Sequence, residues 1–559
     1  MIDKLKNRIA VSKGDKKADL ILKNAKIVNV FSGEVNHGNI AVVDGFIAGI
    51  GDYSNGDEIV DCQGKYVLPG LIDAHIHIES SHLIPSCFGQ AVLAKGTTAV
   101  IADPHEIANV LGVEGLEFMI KDAKLSPMDI FYMLPSAVPS TDKETAGAII
   151  NGDAVGDLLA KYPEFIGLGE VINAPGVIFG DDDVLKKLAF AQEKLIDGHY
   201  PMGSGNLLSA YCSAGISSDH ECTTSAEAEE KLKNGLMILM REGSSAKNLE
   251  ALLPVVNDYN WHNFCFCADD ISALDIQLRG DILNCLKKAV KLGLNPVRGV
   301  QIATINPARH YGLKARGAIA PGYIADFLVV DNLRDFTVDK VYKNGKQYVE
   351  HGEYKPRKIG KVTLPSLKNI KFPLIGNHKY ARVIKAFPAD LITEEIIYTA
   401  EEVANNHNIA KLMVVERHGK NGNIGFGLVE GFDLKAGCIA TTIAHDSHNL
   451  LALGIDDEEM IFAAQALAKQ GGGAIITKNK KVLAALPLPI AGLMTWEDAK
   501  TVAKKEEEFL KAKSELGISM DSPLMTLSFL ALPVIPKLKL TDMGLFNGED
   551  FDFVPLYFD

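Results

Sequence analysis

The sequence predicts an α/β protein. Its centre is a (β/α)8 barrel of the TIM type, with a small flanking β domain built from both sides of the barrel and an additional C-terminal α+β domain. Three observations carry this. Between Tyr66 and about Gly312, short apolar runs alternate with longer amphipathic stretches, and eight such runs are countable. The runs end in ionisable residues, as barrel strands do where they open onto a site. Before and after this region the texture changes to short strands punctuated by Gly, Asn and Asp.

The elements follow in order. The start, MIDKLKNRIAVSKGDKK, is polar and basic and lacks the apolar centre of a signal peptide. ADLILKNAKIVNVFSGEV and NIAVVDGFIAGIGD then read as short alternating strands. The eight barrel runs are YVLPGLIDAHIH, TTAVIADP, IFYMLPSA, FIGLGEVI, KLIDGHYP, YCSAGISSDHE, GLMILMRE and NFCFCADD. Amphipathic segments such as Asp183 to Glu193 and Ser225 to Lys233 lie between them. GAIAPGYIADFLVVDN and VDKVYKNGKQYVEHGEY return to the β texture of the N-terminus. The expected organisation is therefore 1–65 plus 313–360 as the β domain, 66–312 as the barrel, and 361–559 as a further domain. In that last part Gly471-Gly-Gly473 marks a turn or close backbone approach. It is no phosphate loop, because no Lys-Ser/Thr follows.

Composition narrows the function. A chain of 559 residues exceeds one core, and 47% apolar with 23% charged residues is ordinary for a globular protein. The net charge of −14 argues against nucleic acid and anionic membrane as partners. The longest apolar stretch, near Pro523 to Pro536, is too short to span a bilayer and is broken by Pro533. Eight scattered cysteines without a CxxC pair read as buried thiols in a reducing compartment, which makes the cytoplasm the expected location.

The chemistry lies at the run ends. His75 and His77 are two apart on a strand and therefore face one way, able to grip one metal ion. A lone His-x-His is more often a hydrogen-bonded pair, so the other runs decide. They supply Glu170, His199, His220 and Asp269. Four imidazoles and two carboxylates at one barrel mouth can hold two divalent cations, with Glu170 between them. Their nitrogen and oxygen atoms suit Mn, Fe or Zn. Taken singly, Glu170 could be a structural acid, His199 a helix cap and Asp269 an N-cap. Asp103, His105 and Glu106 follow the second run and could bind a substrate edge, brace the metals or cap a loop. Ala444-His-Asp-Ser-His448 fits a structural or pocket-closing loop better than a second metal site.

The segments PGLIDAHIHIESS, ADPHEIANVLG, GLGEVIN, IDGH, SSDHECT and CADD, the tail NPARHYGL…GAIAPGYIADFLVVD and the C-terminal IAHDSHNL resemble the amidohydrolase superfamily. Within it they resemble the bacterial adenine deaminases, over nearly the whole chain. The HxH motif is general to the superfamily, whereas ADPHEIANV is specific to this subgroup. The resemblance implies a binuclear centre, most often manganese with iron or zinc as alternatives, held by His75, His77, Glu170, His199, His220 and Asp269. Many relatives bridge their metals with a carboxylated lysine on strand four. The matching position here is Glu170, which argues against dihydroorotase- or hydantoinase-type readings.

The implied reaction is metal-activated hydroxide attacking carbon 6 of adenine, giving hypoxanthine and ammonia in purine salvage. Asp269 would take the hydroxide proton. Glu221 would protonate the ring and the departing ammonia, or else orient His220. Adenine is the expected partner, with self-association into a dimer or tetramer. The alternative is a deacetylase or amide hydrolase on the same barrel, which would need a phosphate-holding Arg or Lys pair at the mouth; none is evident. The zinc nucleobase-deaminase pattern H-x-E with P-C-x-x-C is missing. One departure is Tyr200, where a small residue is expected, so the pocket wall is expected to differ there.

Overall fold

The computed structural model describes residues 2–350, 355–388 and 391–559. Residues 351–354 and 389–390, which fall in the expected β and C-terminal domains, lie outside the described residues.

Each of the eight apolar runs contains one strand of the barrel. They are β1 (Leu71–Ile76), β2 (Thr97–Ala102), β3 (Asp129–Leu134), β4 (Phe165–Val171), β5 (Leu195–Gly198), β6 (Ser218–Asp219), β7 (Met237–Arg241) and β8 (Phe264–Cys267). β1 to β5 form one parallel arc and β6 to β8 another. The arcs meet at two seams. At one, Ile76 bridges Asp269, the Asp269 N–H donates to the His75 carbonyl at 3.0 Å, and the His77 N–H donates to the Asp269 carbonyl at 3.2 Å. At the other, the Ser217 N–H reaches the Ile196 carbonyl at 3.0 Å.

Alternation along the strands separates two cores. Ile72, Ala74, Ala99, Ile101, Met133, Leu239, Cys265 and Cys267 fill the barrel, and Tyr311 and Leu313 pack with them. Val100, Ala102, Leu134, Ile238, Met240 and Phe266 belong to the larger core outside. The helix Ile282–Lys291 illustrates the covering layer, burying Ile282, Leu283, Cys285, Leu286 and Ala289 on one stripe. The segment expected at Asp183 to Glu193 is the helix Asp182–Ala191, started one residue earlier because Asp181 caps the N–H groups of Asp183 and Val184.

The barrel begins later than residue 66. The first run is two strands: Tyr66–Pro69 pairs antiparallel with Phe327–Val330 in the flanking sheet, and β1 starts at Leu71. The break is Gly70, where a Cβ would lie 2.1 Å from the Thr98 hydroxyl. In the flanking sheet, strands from residues 18–69 and 327–347 share one eight-stranded layer. The polar, basic N-terminus forms the helix Ile2–Ser12.

The C-terminal part centres on a nine-stranded, mostly antiparallel sheet covered by the helix Asp457–Gln470. Gly471 ends this helix in the left-handed conformation, and Gly473 leaves no room for a Cβ against the Leu486 carbonyl. The helix Ala499–Ala512 ties the part to the barrel: Glu506 lies 2.8 Å from His82 Nδ1 and accepts the Leu274 N–H at 2.8 Å. Among the described residues no helix is long and apolar enough to cross a membrane. All eight cysteines are free thiols, and only Cys212 is not fully buried.

Candidate metal centre

β1 ends one residue after His75, and His77 follows. Their Nε2 atoms lie 3.2 Å apart, so the i, i+2 spacing aims both rings at one point. His77 Nδ1 sits 3.0 Å from the Asp103 carbonyl, to which it can only donate. Nε2 is therefore the nitrogen a cation would take; burial and His105 lower this ring, and Asp269 and Glu170 outweigh them and raise it well above the usual histidine value. That Nε2 is 3.3 Å from Glu170 Oε1 and 3.3 Å from Asp269 Oδ1, and His75 Nε2 is 3.6 Å from the same Asp269 oxygen. The second Glu170 oxygen serves the other histidines, 2.7 Å from His199 Nδ1 and 3.0 Å from His220 Nε2.

Glu170 thus stands between two sets of donors, one oxygen toward each. His75, His77 and Glu170, and separately Glu170, His199 and His220, offer ligand atoms within 4.8 Å of one another. Imidazole nitrogens and carboxylate oxygens in this arrangement fit two divalent cations sharing one carboxylate.

The backbone under each donor is fixed. Asp73 Oδ1 accepts the N–H of His75 at 3.2 Å and of Ala268 at 3.1 Å. Asp103 Oδ2 accepts the Glu170 N–H at 2.9 Å, against Gly169, where a Cβ would lie 2.1 Å from that oxygen. The Tyr211 hydroxyl accepts the His199 N–H at 2.9 Å and donates to the Val171 carbonyl at 2.6 Å. Asn248 donates to the carbonyls of His220 and Cys222. Asp269 has φ +56°, in the left-handed region, held there by its two backbone bonds to β1.

The carboxylates stay ionised despite burial. Burial pushes Glu170 up, but His199, His220 and His77 outweigh it and hold it well below the usual range. Burial likewise opposes Asp269, and His77 and Arg241 hold it well below. Burial also opposes Glu221, which Arg241, His199 and His220 lower. Arg241 is at the end of β7. Its Nη2 donates to Glu221 Oε2 at 3.1 Å, and its Nη1 to Glu221 Oε1 and, at 2.8 Å, to Asp269 Oδ2.

A cavity opens above these groups. His77, Glu170, His199, His220, Glu221 and Asp269 line its floor, and His105 and Glu106 also line it. Asp103 is not on the wall. Its Oδ2 accepts the Glu170 N–H and its carbonyl lies against His77 Nδ1, which is the bracing position among those expected for it. Tyr200 is off the wall too, its ring 5.0 Å from that of Tyr211 and its carbonyl taken by Lys231 Nζ at 2.6 Å. The N-cap of the helix after β8 is Ser272, not Asp269.

Two contributions escaped the sequence reading. Arg241 was visible only as the polar end of the seventh run. The other is most of the roof: Leu391, Phe529, Leu532, Val534 and Ile535 line the same cavity from the C-terminal part, beside His445 and Asp446 of the loop expected to be structural or pocket-closing. The apolar stretch near Pro523 to Pro536, notable in sequence only for its hydropathy, supplies four of these.

Two family models match the chain. The amidohydrolase family covers residues 66–348, and the adenine deaminase C-terminal domain covers residues 390–552. Among curated relatives, the adenine deaminase of Dehalococcoides mccartyi strain 195 is 43% identical over 567 residues, 99% of each chain. That of Kosmotoga olearia is 43% identical over 566 residues, 98% of each chain. That of Thermosipho melanesiensis is 44% identical over 574 residues, 99% of each chain.

Proposed function

Because the chain belongs to the adenine deaminase family of the amidohydrolases, we propose that it hydrolyses adenine to hypoxanthine and ammonia with the groups at this barrel mouth. The observation that carries the reading is Glu170, one oxygen of which faces His77 and the other His199 and His220, under a cavity that the C-terminal part helps to line. His75, His77, Glu170 and Asp269 would hold one cation, and Glu170, His199 and His220 the other. We infer manganese as the resident metal from the family resemblance, with iron or zinc able to substitute, since donors that are all nitrogen or oxygen accept each of them. When bound, such a pair of cations lowers the pKa of water so that hydroxide is available near neutral pH.

The chain's own residues do the rest. Asp269 keeps Oδ1 toward the histidines while Arg241 occupies Oδ2, so Oδ1 is placed to take a proton from the attacking water. The two water protons end on the purine ring and on the departing amine, which leaves as ammonia. Glu221 is held ionised by Arg241 and can pass on only a proton it has first received. Its Oε1 lies 3.4 Å from His220 Nε2 and 3.7 Å from His199 Nδ1, the nitrogens that also face Glu170, so it stands on the cavity side of the rings, which favours the proton-carrying role over that of orienting His220 from behind. The roof excludes water from the reacting atoms and offers apolar area to a flat heterocycle.

We further infer a role in purine salvage, a cytoplasmic location, self-association into a dimer or tetramer, and a division into the β, barrel and C-terminal domains with the barrel starting near Leu71. The test of function is direct. Purified protein loaded with manganese or iron should release equal amounts of hypoxanthine and ammonia from adenine. No turnover with either metal would remove this reading.

A further inference from the structure

We propose that His445, supplied by the C-terminal domain, contacts the substrate by hydrogen-bonding a ring nitrogen of adenine, held in place by Glu106 and Phe529. The proposal rests on the reading of the cavity as an adenine site and adds to it a contact from outside the barrel.

The geometry is that of a carboxylate–imidazole pair. His445 Nδ1 lies 2.6 Å from Glu106 Oε1, and the His445 ring stacks on Phe529 with centroids 5.0 Å apart and planes 26° from parallel. One ring nitrogen is thus ion-paired with Glu106 and one ring face covered by Phe529, while the residue remains part of the cavity wall. An imidazole bonded at Nδ1 presents its other polar atom, Nε2, on the opposite side of the ring, as in the carboxylate–histidine pairs of hydrolases. Glu106 is fixed in turn by His448, whose Nε2 donates to Glu106 Oε2. Burial and Glu106 act in opposite directions on His445, and Glu106 prevails, raising it to about 9. At neutral pH the ring then carries both hydrogens and Nε2 is a donor, matched to the unprotonated ring nitrogens of adenine.

Glu106, His445 and His448 also lie close enough to suggest a third cation. The tautomer of His448 speaks against it. Its Nδ1 accepts the Ala444 N–H at 3.2 Å, so the ring hydrogen is on Nε2, facing Glu106. A ring nitrogen that carries hydrogen cannot bind a metal. The cluster is a hydrogen-bonded latch between the barrel and the C-terminal domain.

The test compares metal-loaded wild type with His445→Phe, which keeps the stack on Phe529 and removes the donor, and with His445→Gln, which restores one. The probes are adenine and its 1-, 3- and 7-deaza analogues, each lacking one ring nitrogen. Wild type should disfavour one analogue by about 10-fold or more relative to the others. His445→Phe should lose that discrimination and raise the adenine KM about 10-fold or more, His445→Gln should recover part of it, and metal content should match wild type in both. Unchanged discrimination in His445→Phe overturns the proposal, and so does loss of one metal equivalent, which would mean a cation site. If His445→Phe fails to fold, His445→Gln with its melting temperature decides between the same outcomes. A wild type that deaminates adenine while the variants discriminate as it does sinks this contact alone; one that neither binds nor deaminates adenine sinks the function as well.

Discussion

Arg241 donates a hydrogen bond of 2.8 Å to Oδ2 of Asp269 and so leaves Oδ1 as the oxygen that faces His75 and His77. A cation side chain at the edge of a metal centre is unexpected, since it would repel the metal. Here it is placed behind two carboxylates, Asp269 and Glu221, and together with the neighbouring imidazoles it outweighs the burial that would raise them.

Replacing Arg241 with Met should leave both carboxylates buried and unpaired. A loss of about 3–5 kcal/mol in stability is expected, together with weaker metal binding. Thermal melts and metal titration of the variant check this. A melting temperature equal to wild type would mean that water or another donor takes over the pairing.

Glu170→Ala should cost more than about 100-fold in activity, beyond the loss typical of supporting residues, and should reduce bound metal below two equivalents. Elemental analysis beside an ammonia assay reads both. Full activity in this variant would refute the bridging role.

Stripping the metals with a chelator should abolish turnover and lower the melting temperature by several degrees, because the donors bind cations only when folded together. Adding manganese back should restore both. A stripped protein that melts as before would indicate that the site contributes nothing to the fold.

Glu144 gives a pH signature away from the metal centre. Burial, then the nearby Asp446, raises its carboxyl from 4.5 to about 8, and Ser140 donates to it at 3.2 Å. In the folded protein it holds a proton that the unfolded chain releases above about pH 4.5. Folding is therefore favoured most below that pH, and the advantage declines as pH rises to about 8. Glu144→Gln should flatten this part of the stability curve and melt higher than wild type at pH 8, by an amount on the order of a few kcal/mol at most. Parallel curves for the two proteins between pH 5 and 8 would contradict the assignment.

Much of this was legible in the order of residues. Eight apolar runs, each ending in ionisable groups, carry a barrel by period and spacing alone, because strand alternation and helix amphipathicity are local properties. His75, His77, Glu170, His199, His220 and Asp269 could be picked out for the same reason: each sits at the end of its run. Local pattern also misleads where an element changes partner without changing texture. Tyr66–Pro69 and Leu71–Ile76 read as one run yet belong to two sheets, separated by the close approach of Gly70 to Thr98.

What only the tertiary structure decided are the relations between residues far apart in the chain. Glu170 could be named from sequence, but the direction of each oxygen depends on His77 on one side and on His199 and His220 on the other. Arg241 shows no motif, because its meaning comes from two carboxylates 20 and 28 residues away. Glu106 and His448, 342 residues apart, meet only when the C-terminal domain closes on the barrel. The sequence by itself determined the strands and the candidate donors at their ends, through spacing along the chain, and the class of chemistry through its family resemblance. Which atom faces which, and that the roof over the metals comes from Phe529 and its neighbours, depend on packing between distant segments, which no local pattern encodes.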